Sequence, residues 1–196
     1  GGGQEAIQRA AKMLSDAKFP VILSGAGVVI GDAINECKAL AEKLDAPVCN
    51  GYQHNDSFPG SHPLAVGPLG YNGSKAAMQL ISKADVVLAL GTRLNPFSTL
   101  PGYGIDYWPK NANIIQVDMN PDRIGLTKKV TVGIAGDAKQ VAKQIFDKLS
   151  SNAGDNGRED RKNLIHQTKS AWLQTLTSLD HEDDDPGTVW NKDCLL

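Results

Sequence analysis

The sequence predicts an α/β fold: a doubly wound parallel sheet of five or six strands with helices on both faces. Three observations lead there. Short unbroken apolar runs recur, Val86 to Leu90 the clearest, too short for an isolated core helix and typical of a strand buried on both faces. Each run stops at Gly, Asp or Asn: FPVILSGAG from Phe19, ADVVLALGTRLNP from Ala84, NIIQVDMNP from Asn113 and VTVGIAGD from Val130. Between them lie segments whose apolar residues recur at helical spacing.

Taken in order, Gly1 to Gly3 offer no side chain to anchor a start. Ala6, Ile7, Ala10, Ala11 and Leu14 predict a helix from about Gln4 to Ala17, stopped by Phe19-Pro20. Pro20 opens a strand through Ser24, and Gly25-Ala26-Gly27 turns it. The next helix is expected to start near Asp32, with the carboxylate as its cap and Ile34, Cys37, Leu40, Ala41 and Leu44 on its buried face. A second strand covers Pro47 to Asn50. The long stretch from Tyr52 to Gly73 (YQHNDSFPGSHPLAVGPLGYNG) reads as an ordered functional loop, with a short extra strand as one option. Ser74 caps a short helix through Ile81, which feeds the central strand.

Beyond Gly91-Thr92-Arg93 lies a second loop rich in proline and aromatics, Leu94 to Pro109; Phe97, Tyr103, Tyr107 and Trp108 in it suggest contact with another domain or subunit. Strands Asn113 to Asp118 and Val130 to Ala135 follow. Asp137-x-x-Gln140 then opens a core helix with Val141, Ala142, Ile145, Phe146 and Leu149 buried. Ser150 to Asp160 has linker composition, a further helix is expected from Arg161 to Leu179, and the acidic run after His181 reads as solvated rather than as a calcium loop. With right-handed crossovers the strand order is 2-1-3-4-5, and the turns after the first and third strands face one crevice.

The totals exclude several classes. A chain of 196 residues with 41% hydrophobic content holds one α/β core plus a tail. Twenty basic against 22 acidic residues, net −2, give no electrostatic reason for nucleic acid or an anionic membrane. No run spans a bilayer and no signal peptide is evident, so a cytoplasmic protein is expected. Cys37, Cys49 and Cys194 form no CxxC pair and read as reduced thiols, the first two as small core residues. His54, Asp56 and His62 match no usual metal spacing, and loop hydrogen bonds or substrate contacts are preferred for them.

The candidate ligand residues are Gly25, Gly27, Gly91, Thr92, Arg93, Asp118 and Asp137, all at strand ends. The glycine turn reads either as a diphosphate contact or as a purely geometric turn; the nicotinamide fingerprint fails because Ile30 stands where its third glycine belongs. Arg93 could grip a phosphate or carboxylate, or pair at the sheet edge. Asp118 could hold ribose hydroxyls, or fix its own turn. No residue is assigned to catalysis or to a metal.

The stretches AKFPVILSGAGV, FPGSHPLAVGPLGYNGSKAA, ADVVLALGTRL, IIQVDMNPDRIG and VGIAGDA resemble the Rossmann-like central domain of thiamine-diphosphate-dependent enzymes of the acetolactate synthase group. More narrowly, YQHNDSFPGSHPL, LGTRLNPFSTLPGYGIDYWPKNA, GLTKKVTVGI and HEDDDPGTVWN resemble the sulfoacetaldehyde acetyltransferases of that group. The resemblance implies conversion of sulfoacetaldehyde and phosphate to acetyl phosphate and sulfite, by a three-domain enzyme whose outer domains, in paired subunits of a homodimer or homotetramer, clamp thiamine diphosphate and Mg2+. It implies that residues 1–150 are the central nucleotide- or FAD-binding-like domain and 151–196 a connector to a thiamine-diphosphate-binding domain. No GDG motif with its Asn-bearing metal loop is present, so a fragment inactive by itself is expected. In flavin-containing relatives the seven candidate residues match positions that hold FAD, which leaves FAD or ADP as a possible ligand. Asn95-Pro96-Phe97 departs from the Asp-Asp-Arg of acetolactate synthases. A freestanding nucleotide-binding module and a purely structural interdomain module are the rival readings.

Overall fold

A computed structural model describes residues 2–51, 55–70, 72–94 and 103–182. Six strands form one sheet: β1 (Pro20–Ser24), β2 (Val48–Asn50), β3 (Ala65–Pro68), β4 (Val86–Leu90), β5 (Asn113–Asp118) and β6 (Val132–Ala135). Their order is β3-β2-β1-β4-β5-β6 and every pairing is parallel. This is the expected order, with the optional strand realised as β3 beside β2. The register aligns Ile22 with Leu88 and Leu88 with Ile115, so the greasiest residues of the three central strands form one row.

The helices are α1 (Gly2–Asp16), α2 (Ala26–Ile30), α3 (Ile34–Leu44), α4 (Lys75–Ile81), α5 (Ala138–Lys148) and α6 (Arg158–Glu182). The chain leaves β1 toward β2 in one direction and β3 toward β4 in the other, so right-handed crossovers place α3 and α4 on opposite faces. α5 packs between α1 and α3, and α6 packs with α4. Ser74 and Asp137 cap α4 and α5 as expected, accepting from the amides of Ala77 (3.2 Å) and Gln140 (3.1 Å).

Three expectations need correction. The helix after β1 does not wait for Asp32. Gly25 stands at its N-cap, α2 forms at once, and the chain breaks at Gly31-Asp32, where Asp32 takes a left-handed φ of 53° and caps nothing. α3 then starts behind Ala33 with no side-chain cap. Phe146 is exposed, because it lies about 100° around the helix from buried Ile145. Finally, residues 150–157 are not a loose linker but turns packed on the end of α3, and α6 begins at Arg158.

The long loop is also packed. Phe58, Leu64 and Leu69 are buried, and Ser57 exchanges hydrogen bonds with Ser24, each hydroxyl donating to the other's carbonyl at 2.8 and 3.0 Å. In the second loop Tyr107 is buried within this chain and its hydroxyl accepts from the Gly70 amide at 3.2 Å. Tyr103 meets Trp172 edge-on, with ring centroids 5.7 Å apart, and Lys128 lies over Trp108. These three aromatics thus have partners within the chain, while Phe97 lies outside the described residues, as do His54, Cys194 and the aspartates after His181.

Neighbouring β1 and β4 bring two glycine turns together. A Cβ on Gly25 would meet the Gly91 carbonyl oxygen and the Thr92 Cβ, both at 2.6 Å. One on Gly27 would lie 2.7 Å from the Gly91 Cα, and Gly91 itself has a φ of +64°. Substituting Gly91→Ala therefore incurs both left-handed strain and overlap, a loss of about 2–5 kcal/mol. Gly125→Ala, at φ +72° facing open space, should lose only about 1–2 kcal/mol. Urea midpoints of the two variants test this, and equal losses would contradict the close approach of the turns.

Cys37 and Cys49 are buried free thiols. Burial pushes Cys37 from its ordinary 9.0 up to about 12, against a small lowering by the Ser24 hydroxyl, and burial alone raises Cys49 further. Because the folded values lie above the unfolded ones, the unfolded chain releases these protons first. The thiols' contribution is complete below pH 9 and declines as pH rises toward 12, by about 1.4 kcal/mol per pH unit per thiol. Urea midpoints should fall more steeply above pH 9 in the parent than in a Cys37→Ala, Cys49→Ala variant.

Candidate functional site

The carboxyl ends of β1, β4, β5 and β6 gather all seven candidate ligand residues on one rim. Gly25, Gly27, Gly91 and Thr92 are in direct contact across the β1–β4 boundary. Asp118 and Asp137 are joined at the β5–β6 boundary, where the Gly136 amide donates to the Asp118 carbonyl at 3.0 Å. The end of α2 reaches the second group: a Cβ on Gly31 would meet Asp137 Oδ1 at 2.9 Å, and Asp32 pairs with Lys139 at 3.6 Å.

What these groups can do depends on which donors and acceptors are left. The Gly25 amide donates to Leu90 O (3.0 Å), that of Gly27 to Gly91 O (2.8 Å) and that of Gly91 to Val117 O (3.0 Å). A phosphate at the turn would find these three amides already bonded. Thr92 is buried, with its hydroxyl accepting from the Leu94 amide at 3.2 Å. Asp118 is buried and accepts from the Asn120 amide at 2.8 Å, so it shapes its own turn. Asp137 caps α5. Arg93 differs: it is exposed, and among the described residues it has no hydrogen bond or ion pair.

The rim carries exposed apolar side chains beside these polar groups. Ile30 at the end of α2 is 81% exposed and Met119 after β5 71%, while Leu126, 73% exposed, lies on the return from β5 to β6. At the opposite, amino-terminal ends of the strands, a hollow of about 470 Å³ is lined by Arg9, Lys12, Asp85 and Thr131 among others. Apart from Arg9, which makes no hydrogen bond or ion pair among the described residues, its polar groups are already engaged. Lys12 pairs with Asp16 at 2.9 Å, and the Asp85 carboxylate accepts from the amides of Lys18 and Phe19 at 2.8 and 2.9 Å, holding α1 to β1.

Among the described residues no group of three or more His, Cys, Asp or Glu side chains could hold a metal ion. His62 is committed at both ring nitrogens. Nδ1 accepts from the Leu64 amide at 3.1 Å, which places the proton on Nε2, 2.9 Å from the Glu42 carboxylate. Asp56 is exposed.

Two buried polar residues escaped the sequence reading. Gln116, in the middle of β5, donates through Nε2 to Thr92 O (3.2 Å) and Arg123 O (3.3 Å) and accepts from the Gly125 amide at 2.9 Å. The signal was one amide inside an apolar run. Arg161 is 1% exposed and lies in a ring of backbone carbonyls. Burial lowers its pKa, as does neighbouring Arg158, while Asp45 and Asp85 raise it. Nothing in the sequence around it separates it from the exposed basic residues nearby.

Residues 7–145 match the family model described as the central domain of thiamine pyrophosphate enzymes. The chain is 80% identical over 97% of its length to a probable sulfoacetaldehyde acetyltransferase of Rhizobium meliloti, and 73% identical over 97% to a sulfoacetaldehyde acetyltransferase of Roseovarius nubinhibens. It covers 32% of each of those relatives. A probable acetolactate synthase large subunit of Methanocaldococcus jannaschii is 38% identical over 88% of the chain, which covers 27% of it. With a parallel sheet in the order this fold requires and a family match across nearly all of its core, the chain belongs to the thiamine pyrophosphate enzymes, as their central domain.

Proposed function

We propose that this chain acts as the central domain of a thiamine-diphosphate-dependent sulfoacetaldehyde acetyltransferase, an enzyme that converts sulfoacetaldehyde and phosphate to acetyl phosphate and sulfite. The observation that carries the reading is the 80% identity, sustained over 97% of the chain, to a relative of that name. The likeness to acetolactate synthase is about half as high and covers less of the chain.

In this reading the chemistry belongs to the flanking domains. Thiamine diphosphate is held together with a magnesium ion bound through oxygen ligands, and among the described residues no group of three or more His, Cys, Asp or Glu side chains could hold a metal ion. The described residues supply no metal site for the group, and no step of the reaction is placed on them. The domain is structural and interdomain: residues 1–150 supply the sheet, 151–196 lead to the thiamine-diphosphate-binding domain, and the complete enzyme works as a cytoplasmic homodimer or homotetramer. Exposed Ile30 and Met119 on the rim support protein contact there. FAD or ADP in the strand-end crevice is the second reading. The exposed guanidinium of Arg93 favours it, and the spent amides of Gly25, Gly27 and Gly91 weigh against it.

The complete enzyme, supplied with thiamine diphosphate and Mg2+, should release acetyl phosphate and sulfite from sulfoacetaldehyde and phosphate, and the 196-residue chain alone should release neither. Acetolactate from pyruvate in place of these products would overturn the assignment. Calorimetric titration of the chain with FAD and with ADP should show no saturable binding; binding of either would move the rim to the nucleotide reading.

A further inference from the structure

The described part of the chain ends in a helix held by an unusual anchor. Arg161 sits in the first turn of α6, and each of its five N–H groups meets a backbone carbonyl. Nε donates to Asp45 O (2.9 Å), one terminal nitrogen to Lys18 O (2.8 Å) and Asn156 O (2.9 Å), and the other to Leu44 O (2.6 Å) and Gly154 O (2.5 Å). The carbonyls come from three places: the turn between α1 and β1, the end of α3, and the turns just before α6. Those of Leu44 and Asp45 belong to a helix C-terminus, which leaves carbonyls unpaired and favours a cation. Beside it, Arg158 pairs with the Asp45 carboxylate and donates to the carbonyls of Lys43 and Ala153, both at 3.1 Å. Gly154, at φ +85°, lets the turn close on α3, where a Cβ would lie 2.8 Å from the Leu44 Cα.

Two further contacts lie along the helix. Lys169 donates to Pro63 O at 2.9 Å and to His62 O at 3.4 Å, and Trp172 packs on Tyr103. Arg161 and Trp172 are separated by about 17 Å of helix at 1.5 Å per residue. Points fixed that far apart set a direction as well as an attachment. Past Trp172, residues 173–182 continue the helix with Leu173 and Leu179 exposed.

We propose that Arg161 is a positioning residue that clamps α6 to the sheet as a rigid strut, so that the polypeptide following α6 is presented at a fixed angle to the rest of the domain. Its use in orienting a following domain rests on the central-domain reading above; the rigidity of the strut does not. Alanine at 161 leaves five carbonyls without their donor, and lysine, with three donors on a flexible stem, serves only part of the ring.

Pulsed dipolar EPR on the 196-residue chain tests the proposal without reference to any substrate. In a Cys194→Ser background, with Cys37 and Cys49 buried, spin labels go on Lys143→Cys in α5 and Gln174→Cys in α6, both exposed positions. The parent should give one narrow distance distribution. Arg161→Ala, provided that it still melts cooperatively, should broaden it by about twofold or more, as expected when a flexible segment replaces a clamp. Arg161→Lys should fall between, and it is judged by the same broadening if the alanine variant does not fold. A broad distribution in the parent, or variants as narrow as the parent, would overturn the proposal. Loss of the sulfoacetaldehyde assignment with a narrow parent distribution would leave the strut intact.

Discussion

Everything at the ligand end of this domain depends on the near absence of side chains between two turns. The Cα atoms of Gly27 and Gly91 approach so closely that no Cβ fits on either, and this contact lets the chain leave β1 and β4 side by side in parallel. Once the turns touch, the amides of Gly25, Gly27 and Gly91 bond to neighbouring carbonyls rather than to anything outside. Buried backbone polar groups must be paired. Here the pairing is internal, and the turns act as a structural joint. The glycine pattern thus has a geometric role in the close approach of the two turns, and the rim presents Arg93 together with Ile30 and Met119 to its surroundings.

The architecture was largely legible in the sequence, and for a physical reason. A strand buried on both faces is apolar at nearly every position, so Val86–Leu90 and Val21–Leu23 advertise themselves in a way that a half-exposed strand does not. Capping also left a clear trace, since Ser74 and Asp137 stand just before their helices. The reading failed where the deciding interaction was remote. Asp32 has the chemistry of a cap, but the turn before it had already started a helix, and Asp32 became the residue that breaks it. The composition of Ser150 to Asp160 is that of a linker. Its order comes from Arg158 and Arg161 reaching Leu44, Asp45 and Lys18, more than a hundred residues away. Local propensity carries no trace of such contacts.

The candidate ligand residues were legible as a set but not as individuals. Topology alone collects strand ends on one rim, so their neighbourhood followed once the strands were placed. Their roles did not follow, because an aspartate that caps a turn and one that binds a hydroxyl look alike in sequence. Asp118 and Asp137 each hold a backbone amide of their own loop. Identity with longer relatives, rather than any single residue, connects the domain to thiamine chemistry.

Gln116 gives the rim a mechanical property. Its one side-chain amide bonds the Thr92 carbonyl, the Arg123 carbonyl and the Gly125 amide at once, so the segments after β4 and after β5 hang from the same peg. Arg93, next to Thr92, and Arg123 thus stand on segments tied to one side chain. Two stretches of surface that are well separated in the chain thereby yield, or resist, together.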